Sequence, residues 1–189
     1  MAQRPGKAAE GGSEKSLPGG GWPETYGSES KVRTKIFISY SHKDKISIDR
    51  LLFRLRPLER IGLTEVWVDT RLKSGEKWRD EIRQALSVTK VAILLVGIDF
   101  ITSDFIANGE LPPLLRAAKR DGVLIAPVFV RACFDSFGRT PALNQFQGEN
   151  EPESPLSALK YDQREAFWGR LAGRIEDFLS GSAEGGARR

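Results

Sequence analysis

Cysteine and histidine are nearly absent: the 189 residues hold one of each, Cys133 and His42. A single cysteine excludes a disulfide framework, and the pair cannot build a four-ligand zinc site. One histidine leaves room for at most one Ser–His pair of the nucleophilic kind. Charge of one sign is also scarce. Lys and Arg number 29 against 25 Asp and Glu, a net charge of +4. The two signs are interspersed along helical patterns, which reads as a solvated mixed surface rather than a nucleic-acid groove. Long apolar runs are missing too. Val91–Ile98 and Val123–Val130 are the longest, with eight residues each, far short of the roughly 20 needed to cross a bilayer as a helix. No apolar segment near Met1 has the form of a secretory signal. The expectation is a soluble, cytoplasmic chain with neither a membrane nor a nucleic acid as partner.

What is present divides into three. Residues 1–31 carry seven Gly and three Pro but almost no aliphatic run. Such a segment buries too little to offset its ordering entropy and is expected to be a disordered leader. Residues 180–189 read the same way, as a disordered tail. Between them, residues 32–179 have the size of one domain, with 40% hydrophobic residues across the chain to build its core.

Short apolar runs alternate there with helical patterns. Lys35–Tyr40, Glu65–Asp69, Val91–Val96 and Val123–Val130 read as strands, the last two continuous enough to be buried on both faces. Ile48, Leu51, Leu52, Leu55 and Leu58 stripe a helix that Gly62 ends, and Pro57 is expected to kink it or shorten its last turn. Ile82, Ala85 and Leu86 stripe a helix beginning near Trp78. Leu111, Leu114, Leu115 and Ala118 mark another, closed by Asp121-Gly122, and Phe167, Leu171, Ile175 and Phe178 a final one. A short edge strand is expected at Leu143–Phe146. The fold class is therefore α/β: a flavodoxin-like, five-stranded parallel sheet of order 2-1-3-4-5 with helices on both faces. In that order ligands bind beyond the carboxyl ends of strands 1 and 3, where the winding reverses.

Polar residues collect on that rim. Ser39-Tyr-Ser41-His42-Lys43-Asp44 follows strand 1, Asp69 to Trp78 follows strand 2, and Gly97 to Glu110 follows strand 3. A nucleotide-binding P-loop is excluded, because no G-x-x-x-x-G-K-[ST] occurs. A phosphoryl-accepting receiver domain of the same fold needs clustered acids at strand 1, where this chain has Ser-Tyr-Ser.

Four stretches now form a pattern. They are Phe37-Ile-Ser-Tyr-Ser41, Val66-Trp-Val-Asp69, Leu72-Lys-Ser-Gly75 with Trp78, and Ser103-Asp-Phe-Ile106 with Glu110-Leu111. In this order and spacing they resemble the bacterial Toll/interleukin-1 receptor (TIR) domain over residues 33–179. Ile106 stands where many TIR enzymes have Trp. The resemblance implies an NAD+ nucleosidase that cleaves the nicotinamide–ribose bond, with NAD+ as substrate and no cofactor or metal. The alternative it leaves is a non-catalytic adaptor acting through TIR–TIR assembly.

The resemblance also implies residue roles. Glu110 matches the catalytic glutamate, although an acid there also suits the first turn of a helix. Ser41, His42 and Lys43 match positions that meet the pyrophosphate or adenine ribose, and Lys43 reads equally as a solvated lysine before a helix. Trp78 either stacks on a ring of the dinucleotide or packs with Ile82. Lys73, in the loop after strand 2, reaches substrate or a neighbouring subunit. Trp67 reads as core, Asp69 as ordering that loop, and Cys133 as a small buried hydrophobe. Self-association and a role in antiphage defence or signalling are further implications of the family.

Overall fold

The computed structural model describes residues 33–69, 76–103, 111–133 and 141–181. The expected leader at 1–31 and nearly all of the expected tail lie outside them. The elements run β1 (Lys35–Tyr40), α1 (Lys45–Arg60), β2 (Val66–Asp69), α2 (Glu76–Ser87), β3 (Thr89–Val96), α3 (Ile98–Ile101), α4 (Leu111–Arg120), β4 (Leu124–Phe129), α5 (Pro141–Asn144) and α6 (Tyr161–Leu179). Among the described residues the sheet is parallel, with strand order β2-β1-β3-β4.

Alternation along each strand divides the core into two layers. Ile36, Ile38 and Tyr40 of β1 face one way with Val91, Ile93 and Leu95 of β3, and meet Ile48, Leu51 and Leu55 of α1 and Phe167, Leu171 and Ile175 of α6. Phe37 faces the other way with Ala92, Leu94 and Val96, against Ile82 of α2 and Leu111, Leu114 and Leu115 of α4. Period-2 strands and period-3.6 helices are thus both satisfied. Trp67 joins the second layer, stacked on Phe37 with ring centroids 5.3 Å apart and planes 18° from parallel. Cys133 is buried in the same layer. The fold class and the reversal of winding between β1 and β3 stand as the sequence implies.

Two expectations are corrected. Pro57 does not shorten its helix: α1 continues to Arg60, and the Ile61 amide donates to the Pro57 carbonyl at 3.2 Å. Gly62, at φ +71°, ends it, in the left-handed geometry that a side chain resists. The second correction is the edge strand expected at Leu143–Phe146. Leu143 lies instead in helical turn α5, and both Leu143 and Phe146 bury in the core. Pro141 opens that turn, where a missing N–H costs nothing, and Phe146 follows it with its amide donating to the Leu143 carbonyl at 3.0 Å.

The outer edge of β4 is closed by a loop instead of a strand. The Glu149 amide donates to the Pro127 carbonyl at 2.7 Å. Asn150 accepts from the Phe129 amide at 2.9 Å and donates to the Phe129 and Ser154 carbonyls, each at 3.0 Å. One side-chain amide thereby replaces a strand's donor and acceptor. Gly148 permits the approach, since a Cβ there would lie 2.6 Å from the Phe129 ring. Asn150→Ala should therefore destabilise the domain by ~1–3 kcal/mol, because it strands part-buried backbone groups. Urea denaturation of the variant beside the parent measures this.

Candidate functional site at the carboxyl rim of the sheet

β1 ends where its apolar alternation gives way to Ser41, and a 3-10 turn, His42–Asp44, joins it to α1. Ser41 is buried, and its hydroxyl accepts from the Lys43 amide at 3.4 Å. The Asp44 amide donates to the Ser41 carbonyl at 2.7 Å. His42 and Lys43 face outward, whereas Asp44 is buried. On the far side of the reversal, Gly97 starts α3, which carries Asp99.

These segments are tied together from β4. Arg131, just past that strand, donates through Nε to Asp44 Oδ1 at 2.6 Å and through Nη2 to Asp44 Oδ2 at 3.1 Å. Its Nη2 also lies 2.5 Å from Asp99 Oδ2. Lys43 Nζ completes the chain, 3.7 Å from Asp99 Oδ1. Two cations and two anions therefore span the ends of β1, β3 and β4. The guanidinium lies against Gly97, whose missing Cβ would stand 3.4 Å from Arg131 Nε.

The electrostatics follow from this geometry. Hydrogen bonding to Asp44, and then to Asp99, raises the Arg131 pKa above its already high value. The hydrogen bond from Arg131 holds the Asp99 carboxyl below its ordinary value, with a smaller contribution from the Lys43 charge. Burial pushes the Cys133 thiol up to about 11, so it is protonated at neutral pH and no nucleophile. Among the described residues no three potential ligands converge on a metal position. Arg131 is committed to carboxylates on two sides. Lys43, 59% exposed and beyond good hydrogen-bond distance of Asp99, is, among the described residues of the rim, the cation best able to meet an anionic ligand. Ser39, fully buried at the end of β1, has a hydroxyl with no partner among the described residues.

Of the expected site residues, Ser41, His42 and Lys43 meet at this rim. Trp78 lies in the first turn of α2, with its side chain outside the description. Glu110 and Lys73 lie outside the described residues. Asp69 ends β2 in register with Ser39, and its side chain is likewise not described. Arg131, Asp44 and Asp99 were not expected as a unit. The sequence signal for Arg131 is its position two residues past strand 4, on the same rim as the segments beyond strands 1 to 3.

The TIR domain family model matches residues 36–159, from β1 through the turn before α6. An uncharacterized protein of Sinorhizobium fredii, y4lF, is 33% identical over 98 residues, which cover 52% of this chain. The matched part amounts to 30% of that relative's length.

The depressed Asp99 carboxyl has a consequence at acid pH. A group with a lowered folded-state pKa adds stability above its unfolded pKa, and the gain disappears as pH falls through the folded value. Asp99→Asn should therefore flatten the loss of stability below about pH 4. Chemical denaturation between pH 7 and pH 3 checks this, and parallel curves for parent and variant would contradict it.

Proposed function

The chain belongs to the TIR domain family, and from that premise we propose that it cleaves NAD+ between nicotinamide and ribose. The observation that carries the reading is the span of the family match. It includes both rim segments flanking the β1/β3 reversal, and with them Ser41, Lys43 and Glu110. Ligands of such sheets bind at that reversal.

The chemistry suits a rim with few catalytic groups. Nicotinamide is a cationic pyridinium in the substrate, and it departs neutral with the electron pair of the broken C–N bond. Its departure needs no general acid, unlike the oxygen leaving group of an ordinary glycosidase. The ribose carbon left behind resembles an oxocarbenium ion, which a carboxylate stabilises. Glu110, directly before α4, fills that role. Water adds to the ribose carbon and loses a proton to give ADP-ribose, or an adenine nitrogen adds to give a cyclic product. Lys43 and the Ser41–His42 turn meet the pyrophosphate or adenine ribose, Trp78 stacks on a ring, and NAD+ is the substrate with no further cofactor. Antiphage defence or signalling in the cytoplasm is the setting that fits such an activity.

A second reading is a non-catalytic module that works by TIR–TIR assembly. The surface of α1 favours it: Ile46 is 82% exposed, Phe53 60%, and Ile61, just past the helix, 69%. Ile46 and Phe53 are seven residues apart and share one helical face.

Incubation of the purified chain with NAD+ separates the readings. The parent should release free nicotinamide and Glu110→Gln should not, with both melting alike. Gln retains size and hydrogen bonding but removes the negative charge. Equal release from parent and variant would remove Glu110 from the mechanism, and no release from the parent would favour the adaptor.

Catalysis is further expected to require self-association, with Lys73 reaching a neighbouring chain. Specific activity should then rise with enzyme concentration, and charge reversal at Lys73 should reduce it without unfolding the domain. Constant specific activity over a wide dilution series, with a monomer throughout by light scattering, would instead indicate a loop serving its own site.

A further inference from the structure

We propose that Arg131 is a positioning residue for the loop after β1, holding the substrate-facing turn Ser41–Asp44 in place from β4. The catalytic part of this inference rests on the NAD+-cleaving function proposed above.

Asp44 provides the first argument. It occupies the N-cap of α1 yet makes no side-chain cap hydrogen bond. Aspartate is favoured at such positions because its carboxylate accepts from the first helical amides. Here both oxygens turn away to Arg131, and the side chain is only 2% exposed. A local preference is set aside for a contact 87 residues distant. Such departures are expected at functional sites.

Within itself the turn is closed by the 2.7 Å bond from the Asp44 amide to the Ser41 carbonyl. A three-residue 3-10 segment is intrinsically weak, and the Ser41 hydroxyl bond at 3.4 Å is long. Arg131 supplies what these lack. Its planar fork takes Asp44 with two donors and Asp99 with a second contact of Nη2, thereby fixing the β1 wall of the crevice relative to the β3 wall. A lysine ammonium, a compact point charge, cannot reproduce that fork. Gly97 leaves the space in which the guanidinium lies.

The role is positional, since Arg131 is already engaged with two carboxylates. It sets where Ser41, His42 and Lys43 stand, and displacing groups that bind substrate equally in the ground and transition states raises KM and leaves kcat unchanged.

The test uses Arg131→Lys and Asp44→Asn in the full chain, with kcat and KM for NAD+ cleavage measured beside backbone amide exchange. Arg131→Lys should raise KM by about tenfold while kcat stays within about twofold. Asp44→Asn, which keeps one acceptor, should give a smaller rise. Amides of His42, Lys43 and Asp44 should exchange faster in both variants, with Trp67 in β2 unchanged as a control. A merely structural role would reduce the amount of active enzyme, lowering kcat at constant KM, and that outcome overturns the inference. Unchanged exchange at residues 42–44 also overturns it. A parent chain that releases no nicotinamide refutes the proposed reaction, and the exchange data alone then decide whether Arg131 holds the loop.

Discussion

The central pair of strands, β1 and β3, sets the terms for everything around it. Ile36–Tyr40 and Val91–Val96 are buried on both faces, so their backbone groups can be satisfied only within the sheet and their side chains only by helices on each side. Parallel pairing demands crossovers, and the two that connect β1 to β3, through α1 to β2 and then through α2, land on opposite faces and cover both layers. That arrangement reverses the winding between β1 and β3. The crevice at the reversal follows from the burial of two strands rather than from any residue in the crevice itself.

A sheet fixed at its centre must still end somewhere, and the two edges end differently. At β2 the outward amide of Val66 is met by the Glu59 carboxylate at 3.0 Å, from the last turn of α1. At β4 the Asn150 amide and the Glu149 backbone occupy the edge. Arg174 of α6 donates in turn to Glu149, anchoring that loop to the helix layer. Exposed strand edges invite pairing with other chains, and capped edges do not.

Legibility in the sequence tracked the range of the interaction involved. The strands and the helical stripes were readable because they depend on spacing within one element. That β4 is an edge strand among the described residues was also partly written there. Pro127 lies inside β4 without an N–H to donate, which is tolerated on an edge strand and argues against a further neighbour. Pro141 two residues before Leu143 favours a helical turn over a strand. Ser41, His42 and Lys43 could be placed at the rim because topology alone puts the end of strand 1 there. Asp44 was not readable in the same way. Its position predicts a helix cap, and only the fold brings Arg131 within 2.6 Å to claim it.

The charge balance of the rim bears on how such a site can work. Asp44 and Asp99 together balance the charges of Arg131 and Lys43, so among the described residues this network carries no net charge. In the proposed function a pyrophosphate would meet Lys43, whose hold on Asp99 is the longest link of the four at 3.7 Å. Drawing Lys43 away leaves Asp99 bound to Arg131 at 2.5 Å, with its charge still compensated. The network is therefore graded, with its longest contact at the exposed lysine and its short ones at the part-buried guanidinium fork. Movement of one lysine toward ligand need not disturb the alignment of β1 with β3, because the contact that maintains that alignment is not the one that gives way.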